Sequence, residues 1–502
     1  MSSQPRPSRA APVLEERFQG QIRRDPEMAE AATYDLIVIG GGIYGIALLL
    51  ESARRGLKAL LLEQADYGGA TTWANLRIVH GGLRYLQGLD LHRFRESVGE
   101  RNWFLRHFPD LVRPLACLMP LYGRGLRRPS VFRIALAVND LLSGRQGAGP
   151  AQLPPGEVVD ATVTARLFPK VDRAGLRGGA LWYDAVMLSS ERVVMEMLRW
   201  SCACGGTALN YMAADRLILD NGMVRGIEAR DRLDGRMRRF AGGRVVNAAG
   251  PWARALAARL DRDLPALFQP CLAFNLLLDR APIAEVAVAV TPKVPVAHTY
   301  FVLPWKGRLL AGTFHAPIAD EPVDSVPSEA QVAQFIADLN VAVSGLAITR
   351  DEVLHVYGGR LPARAPASAD AATREVIHDH GVTGGPRGFY SVSGVKFTTA
   401  RLVAEKTLKR IFHHDGLGPA TQAARRPPPL FDLSREGLEC AGAPLAGPAD
   451  VVAARLRALV ANESVMNVDD LLLRRLDSTA TIANLAAARQ QVLRLLGPEV
   501  EG

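Results

Sequence analysis

The sequence predicts an α/β protein: a parallel, helix-covered sheet carrying an inserted antiparallel-sheet domain and a small C-terminal helical domain. Three observations carry that expectation. Apolar runs alternate with glycines in a β-α-β pattern over "VIGGGIYGIALLLESARRGLKALLLEQ", Val38 to Gln64. Further on, "AHTYFVLPWKGRLLAGTF" has the turn and apolar runs of a β-hairpin. Past the proline-rich "RRPPPLF" (Arg425 to Phe431), "PADVVAARLRALVANE" and "TIANLAAARQQVLRLL" show helical apolar spacing. At 502 residues, 48% apolar and 22% charged, the chain is an ordinary globular one with room for two or three cores.

In the first unit, Tyr34–Ile39 reads as a short buried strand, Ile43–Arg55 as a helix and Leu57–Gln64 as a second buried strand. Glycine contributes no packing and costs backbone entropy, so its use at Gly40, Gly41, Gly42 and Gly45 requires a return. Gly40-x-Gly42-x-x-Gly45 between strand and helix is the dinucleotide-binding fingerprint of a Rossmann-like unit. Gly40 permits the tight turn, Gly42 admits a pyrophosphate, and Gly45 lets helix and strand pack closely. The helix N-terminus then offers free N–H groups and partial positive charge to the phosphates. Glu63 closes the second strand about 20 residues beyond the glycines, where a carboxylate takes the adenosine ribose hydroxyls.

The wider organisation is expected as follows. Residues 1–33, rich in Pro, Arg, Glu and Ala without an apolar core, read as a mobile leader and not a secretory signal. The nucleotide-binding region is expected to span 34–415, its nucleotide domain assembled from about 34–115, 176–255 and 350–415, with the intervening blocks forming the cap. Residues 432–502 form the helical domain. A net charge of +9 suits an anionic substrate or an anionic membrane surface. Nucleic acid has only that charge in its favour and is discounted. The five cysteines (Cys117, Cys202, Cys204, Cys271, Cys440) lack the second pair of a zinc site, so no metal is expected, and they read as reduced thiols of a cytoplasmic protein. Leu36 to Leu50, the longest apolar run, is too short to span a bilayer. Leu121 to Arg145 alternates basic and apolar residues and suits contact with the inner face of a membrane. The oligomeric state is left open.

Fingerprint and acid are common to NAD and FAD proteins. Downstream, "GATTWANLRIVHGGLRYLQ" (Gly69 to Gln87) contains the intact "HGGLRYL". This resembles the signature of FAD-dependent glycerol-3-phosphate dehydrogenases, within the D-amino-acid-oxidase-like flavoproteins. "LWYDAVMLSSERVV", "VVNAAGPWA", "FVLPWKGRLLAGT", "YGGRLPARA", "FYSVSGVKFTTARLVAEKTL" and "ESVMNVDDLLLRRLDS" resemble further blocks of that family in order, from about Tyr34 to Ser478.

The resemblance implies a non-covalent FAD, held at Gly40–Gly45 and Glu63, with Thr71 and Thr72 at the pyrophosphate. His80, Gly81 and Gly82, and the turn of Asn247, Ala248 and Gly250, would approach the same cofactor. Gly394, Lys396, Phe397, Thr398 and Thr399 would lie by the isoalloxazine. For an anionic substrate it implies Arg84, Arg360 and Arg374, with Tyr85 lining the pocket and Lys396 polarising the substrate oxygen. The implied reaction is oxidation of a small anionic secondary alcohol by hydride transfer to flavin N5, by default glycerol 3-phosphate to dihydroxyacetone phosphate, with quinone or another acceptor taking the electrons. The chain departs from the pattern at Asn275, where the family has a substrate-facing histidine, at Val395 and at Leu361. Phe314-His315 replaces a Thr-Asp pair, and His315 is a candidate titratable replacement. These departures keep open another hydroxy acid or an amine as substrate, and a flavin-binding protein without turnover.

Overall fold

A computed structural model describes residues 20–123, 128–144, 153–292, 298–318, 325–343, 345–413, 427, 445–476 and 484–497. The nucleotide domain is built on a six-stranded sheet. Its order is 376–379, 389–393, 245–247, 36–39, 59–62 and 207–209, parallel throughout except for the first strand. Leu36–Ile39 and Ala59–Leu62 are buried along their whole length, which explains their unbroken apolar sequence. Helix Ile43–Ala53 packs on this sheet together with helices Ser190–Ala203 and Ala400–Ile411. Leu48, Leu49, Trp200 and Leu408 belong to the shared core.

The first strand is shorter than the sequence suggests. The amide of Asp35 donates to the Lys58 carbonyl and its carboxylate accepts the Lys58 amide, 2.9 and 2.8 Å. Tyr34, before that bend, joins a separate four-stranded sheet opposite Gly242. The cap is a nine-stranded sheet, mostly antiparallel, that includes the expected hairpin of Tyr300–Trp305 and Arg308–Pro317. One parallel pair, Ala287–Val290 with the Val112–Leu121 strand, makes it mixed where an antiparallel sheet was expected. Lys306 and Gly307 both have positive φ, the backbone of a tight hairpin turn.

The expected leader is too long. Residues 1–19 lie outside the described residues, but Ile22 is buried and bridges to Glu463, and Pro26–Glu30 is a helix capped by Asp25. This segment's charges are paired across the fold: Arg24 with Asp231 at 2.6 Å, and Glu27 and Glu30 with Arg238.

Helices Ala449–Asn462 and Leu485–Leu496 and the π-helical turn Asp470–Arg475 enclose a small core of Leu456, Leu459, Leu471, Leu472 and Val492. This unit is clamped to the nucleotide domain by buried charge. Arg192 holds both oxygens of Glu463 at 3.0 and 2.7 Å, and Arg475 holds both oxygens of Asp66 at 2.6 and 3.0 Å. Asn210 adds a hydrogen bond to the Ser464 carbonyl at 2.8 Å. Among the described residues, no helix is long and apolar enough to cross a membrane.

Burial pushes the Glu463 carboxyl up, but Arg192 and Arg475 outweigh it and hold the pKa below the ordinary 4.5. Its pairing therefore contributes fully above pH 4.5 and is lost as pH falls through the lower folded-state value. Glu463→Gln is expected to cost about 1.5–3 kcal/mol, the worth of hydrogen bonds to a charged group, because Arg192 keeps Glu196 and Arg475 keeps Asp66. Urea unfolding at neutral pH checks this, and the difference from the parent should shrink under acid conditions.

Candidate active site

Helix Ile43–Ala53 begins against its own preceding strand. A Cβ on Gly45 would lie 1.8 Å from the Gly40 carbonyl oxygen, and one on Gly40, at φ +109°, would lie 2.6 Å from the Ala248 oxygen. Three backbone segments thus converge with no room for side chains. Gly42 caps the helix with no side chain of its own, and a Cβ there would meet only Thr72 Oγ1 at 3.1 Å. Gly42 faces a single long cavity of about 1980 Å³ that runs from this turn to the cap sheet.

At the near end Glu63 accepts hydrogen bonds from the amides of Gly41 and Ala65, at 2.5 and 2.8 Å. Burial nevertheless pushes its carboxyl pKa above the ordinary value. Thr72 Oγ1 accepts the Ile43 amide at 3.0 Å, and Thr71 Oγ1 donates to the Arg360 carbonyl at 2.9 Å. The loop of residues 69–75 is therefore strung between the helix N-terminus and the cap. A bare helix N-terminus, a carboxylate at the second strand end and a long cavity between them fit an adenine dinucleotide.

The cavity wall includes Gly40, Gly42, Glu63, Thr71, Thr72, His80 and Gly82 from the first nucleotide-domain segment, and Ala248 and Gly250 from the second. Gly394, Lys396, Phe397 and Thr398 line it too, with Tyr85, His315 and Arg360. Gly41, Gly45 and Gly81 act by backbone approach or hydrogen bonding behind the wall. Asn247 is also behind it: its carboxamide donates to the Ala253 carbonyl and Ser391 Oγ and accepts the Ala249 amide, which shapes the turn that does face the cavity. Ser391, His380 and Asp261 form a hydrogen-bonded row at 2.9 and 2.8 Å that resembles a hydrolytic triad. Ser391 and His380 have no exposed surface and none of the three lines the cavity, so the row braces Asn247.

Other expected residues are placed differently. Arg374 is exposed and absent from the wall, although Thr373 lines it. Thr399 is the N-cap residue of helix Ala400–Ile411, behind the wall. Gly394 makes room for the Tyr44 ring, whose hydroxyl donates to the Lys396 carbonyl at 2.9 Å and accepts the Lys396 amide at 3.1 Å. Burial carries that tyrosine's pKa well above its ordinary value. Arg84 lies in helix Leu83–Gln87, but its side chain is outside the described set. Asn275 is 1% exposed, donating to the Ala74 carbonyl at 2.9 Å and accepting from Thr313 Oγ1 at 2.8 Å. The amide nitrogen ties the cap to the 69–75 loop, and the oxygen is engaged within the cap sheet itself.

Sequence reading missed the partner of His80. His80 Nδ1 lies 3.1 Å from Asp184 Oδ2, while Asp184 Oδ1 accepts the Gly81 amide at 2.7 Å. Trp182 Nε1 and Arg101 approach the same carboxylate, at 3.3 and 3.5 Å. Burial raises the Asp184 pKa, but His80, Arg101 and the Gly81 amide together hold it below the ordinary value. The Nδ1 edge of the imidazole is turned to this carboxylate, and the ring lines the cavity. Only the aspartate in "LWYDAVML" signals this in sequence, and nothing there ties it to His80.

Comparison with known proteins agrees with this geometry. Residues 35–410 match the family "FAD dependent oxidoreductase", DAO. The chain belongs to this family. A Synechocystis sp. glycerol-3-phosphate dehydrogenase is 30% identical over 405 residues, covering 78% of this chain and 72% of that protein. Glycerol-3-phosphate dehydrogenase 1 of Mycobacterium tuberculosis is 29% identical over 487 residues, covering 89% and 92%. Among solved structures, the glycerol-3-phosphate dehydrogenase from Bacillus halodurans complexed with FAD superposes with a TM-score of 0.72 at 21% identity, over 95% of this chain and 92% of that one. The protein is thus an FAD-dependent oxidoreductase.

Glu63→Gln removes the carboxylate from the ribose end of the cavity while keeping its shape. FAD affinity is expected to fall about 10- to 100-fold, the worth of a hydrogen bond to a charged group. Titration of the apoprotein with FAD, followed by flavin fluorescence, measures it.

Proposed function

We propose that this flavoprotein oxidises glycerol 3-phosphate to dihydroxyacetone phosphate. The observation that carries the reading is the charge at the cap end of the cavity. Arg360, Arg364, Lys396, His80 and His315 line it, against two carboxylates, Asp370 and an Asp184 already consumed by its own partners. A small dianion is the substrate that such a lining accommodates. The relatives named above are glycerol-3-phosphate dehydrogenases, which supports the same choice.

In this reading Arg360, 4% exposed on strand Val353–Pro362, holds the phosphate with the directional fork of a guanidinium. Bound FAD supplies the hydride acceptor. His80 Nε2 accepts the hydroxyl proton, its ring held in tautomer and orientation by Asp184. Lys396, whose ammonium hydrogen-bonds the Tyr85 hydroxyl, orients the substrate oxygen. Asn275 has no part in proton transfer, because its carboxamide is not a base and both ends are engaged.

Mixing the holoenzyme with glycerol 3-phosphate under argon should bleach the oxidised-flavin absorbance. No bleaching, with reduction by a neutral alcohol, another hydroxy acid or an amine, would refute the reading. Arg360→Ala should retain FAD and its spectrum but lose about 100-fold in kcat/KM, the worth of a charge-assisted phosphate contact.

Peripheral membrane contact belongs to the same proposal. Helix Pro129–Gly144 turns Val131, Ile134, Val138 and Leu141 outward, with Ile134 68% and Leu141 60% exposed. Their spacing puts them on one face, and Arg128 and Arg133 are exposed beside them. Such a face suits an anionic bilayer, where a quinone could take the electrons. Flotation with phosphatidylglycerol vesicles should recover the protein, and Ile134→Glu with Leu141→Glu should release it. Equal flotation of parent and variant would exclude this helix as the contact.

A further inference from the structure

Two adjacent arginines on the turn Asp470–Arg475 have different fates. Arg475 is buried and paired with Asp66. Arg474 points the other way, into the cavity wall beside Gly69, Ala70, Thr71 and Thr72. Its Nη2 donates to the Gly69 carbonyl at 3.3 Å, its Nη1 to the Leu473 carbonyl at 3.4 Å, and its guanidinium carbon stands 4.9 Å from the Trp73 ring. Among the described residues it makes no ion pair. The carboxylates in its neighbourhood are taken: Asp66 by Arg475, Glu191 by Arg77, and Asp470 by the Tyr211 hydroxyl and the Met466 amide. Burial pulls the Arg474 pKa down, so the charge is poorly solvated where it stands.

A half-buried cation that faces a cavity with only backbone carbonyls and an aromatic ring as partners favours an anion from that cavity. The loop that Arg474 touches runs from Gly69 to Thr72, and Thr72 sits on the helix N-terminus at Ile43. Glu63 marks the ribose end, and Asp66, three residues further on, carries the Arg475 clamp. The diphosphate of FAD must run between Glu63 and the cap, past this loop. We propose that Arg474 is a counter-charge to the FAD diphosphate, so that the C-terminal helical unit completes the dinucleotide site of a different domain. The glycine turn supplies only neutral N–H groups, and Arg474 adds formal positive charge from the other unit, while Arg259 of the nucleotide domain also lines the cavity but is turned to the Ala214 carbonyl. Cofactor binding and docking of residues 445–476 are then linked, each strengthening the other. The inference rests on FAD as cofactor and is independent of the substrate.

The test uses full-length protein. FAD release from the holoenzyme on dilution is followed by the rise in flavin fluorescence, and the apoprotein is titrated with FAD, ADP and riboflavin. Arg474→Gln is expected to weaken FAD and ADP about tenfold or more, to leave riboflavin unchanged, and to flatten the salt dependence of FAD binding. Arg474→Lys should fall between parent and Gln. Unchanged FAD affinity in Arg474→Gln, or an equal loss for riboflavin, overturns the proposal. A measurement on the parent alone guards against a variant that does not fold. ADP added to the apoprotein should slow amide hydrogen exchange in residues 445–476, and equal exchange with and without ADP overturns the proposal as well.

Discussion

The structure depends on how closely helix Ile43–Ala53 approaches the strand before it. The Gly45 backbone sits against the Gly40 carbonyl, and the Gly40 backbone against that of Ala248, with no space for a Cβ at either place. That contact sets the helix N-terminus at the cavity, where Thr72 and Glu63 take the Ile43 and Gly41 amides. It also brings the turn after strand Val245–Asn247 up to the same point. A methyl group here would separate strand, helix and turn together, and the place for the diphosphate would go with them.

Around this backbone contact the protein arranges its charges in two populations. One is buried and mutually satisfied: Arg192 with Glu463, Arg475 with Asp66, Arg77 with Glu191, and Asp184 with its four donors. These pairs join segments far apart in sequence, and breaking one leaves a charge in a poorly solvated place. The other lines the cavity, where Arg360, Arg364 and Lys396 face the cap end and Arg474 the dinucleotide end. The first population therefore holds elements in register, while the second faces the cavity, where the proposed anions would be met. Adjacent residues can belong to different populations, as Arg474 and Arg475 do.

Local pattern made much of the site legible. Tight turn, apolar strands and a carboxylate at strand end are all set within about 30 residues, so Gly40, Gly42 and Glu63 could be given roles from spacing. Ordered motifs extended this to Thr71, Thr72, Arg360 and Lys396, all of which reach the cavity wall. The misreadings concern residues whose role depends on distant partners. Asn275 is placed at the wall, but its carboxamide is consumed by Ala74 and Thr313. Asn247 shapes a turn through Ser391, and Arg374 is left outside. Residues 20–33 looked like a mobile leader because their charges find partners only at Asp231 and Arg238.

What the sequence by itself determined is the class of protein: an α/β flavin-type oxidoreductase whose dinucleotide turn is written in glycines, because backbone access is a local property of residue type. Tertiary structure alone decided which side chains meet. The His80–Asp184 contact joins residues about a hundred positions apart, and Arg474 reaches the Gly69 loop from the far end of the chain. Hydrogen bonds and ion pairs act over a few ångströms of space, whatever the separation along the chain. Pairings of that kind exist only after the domains have docked.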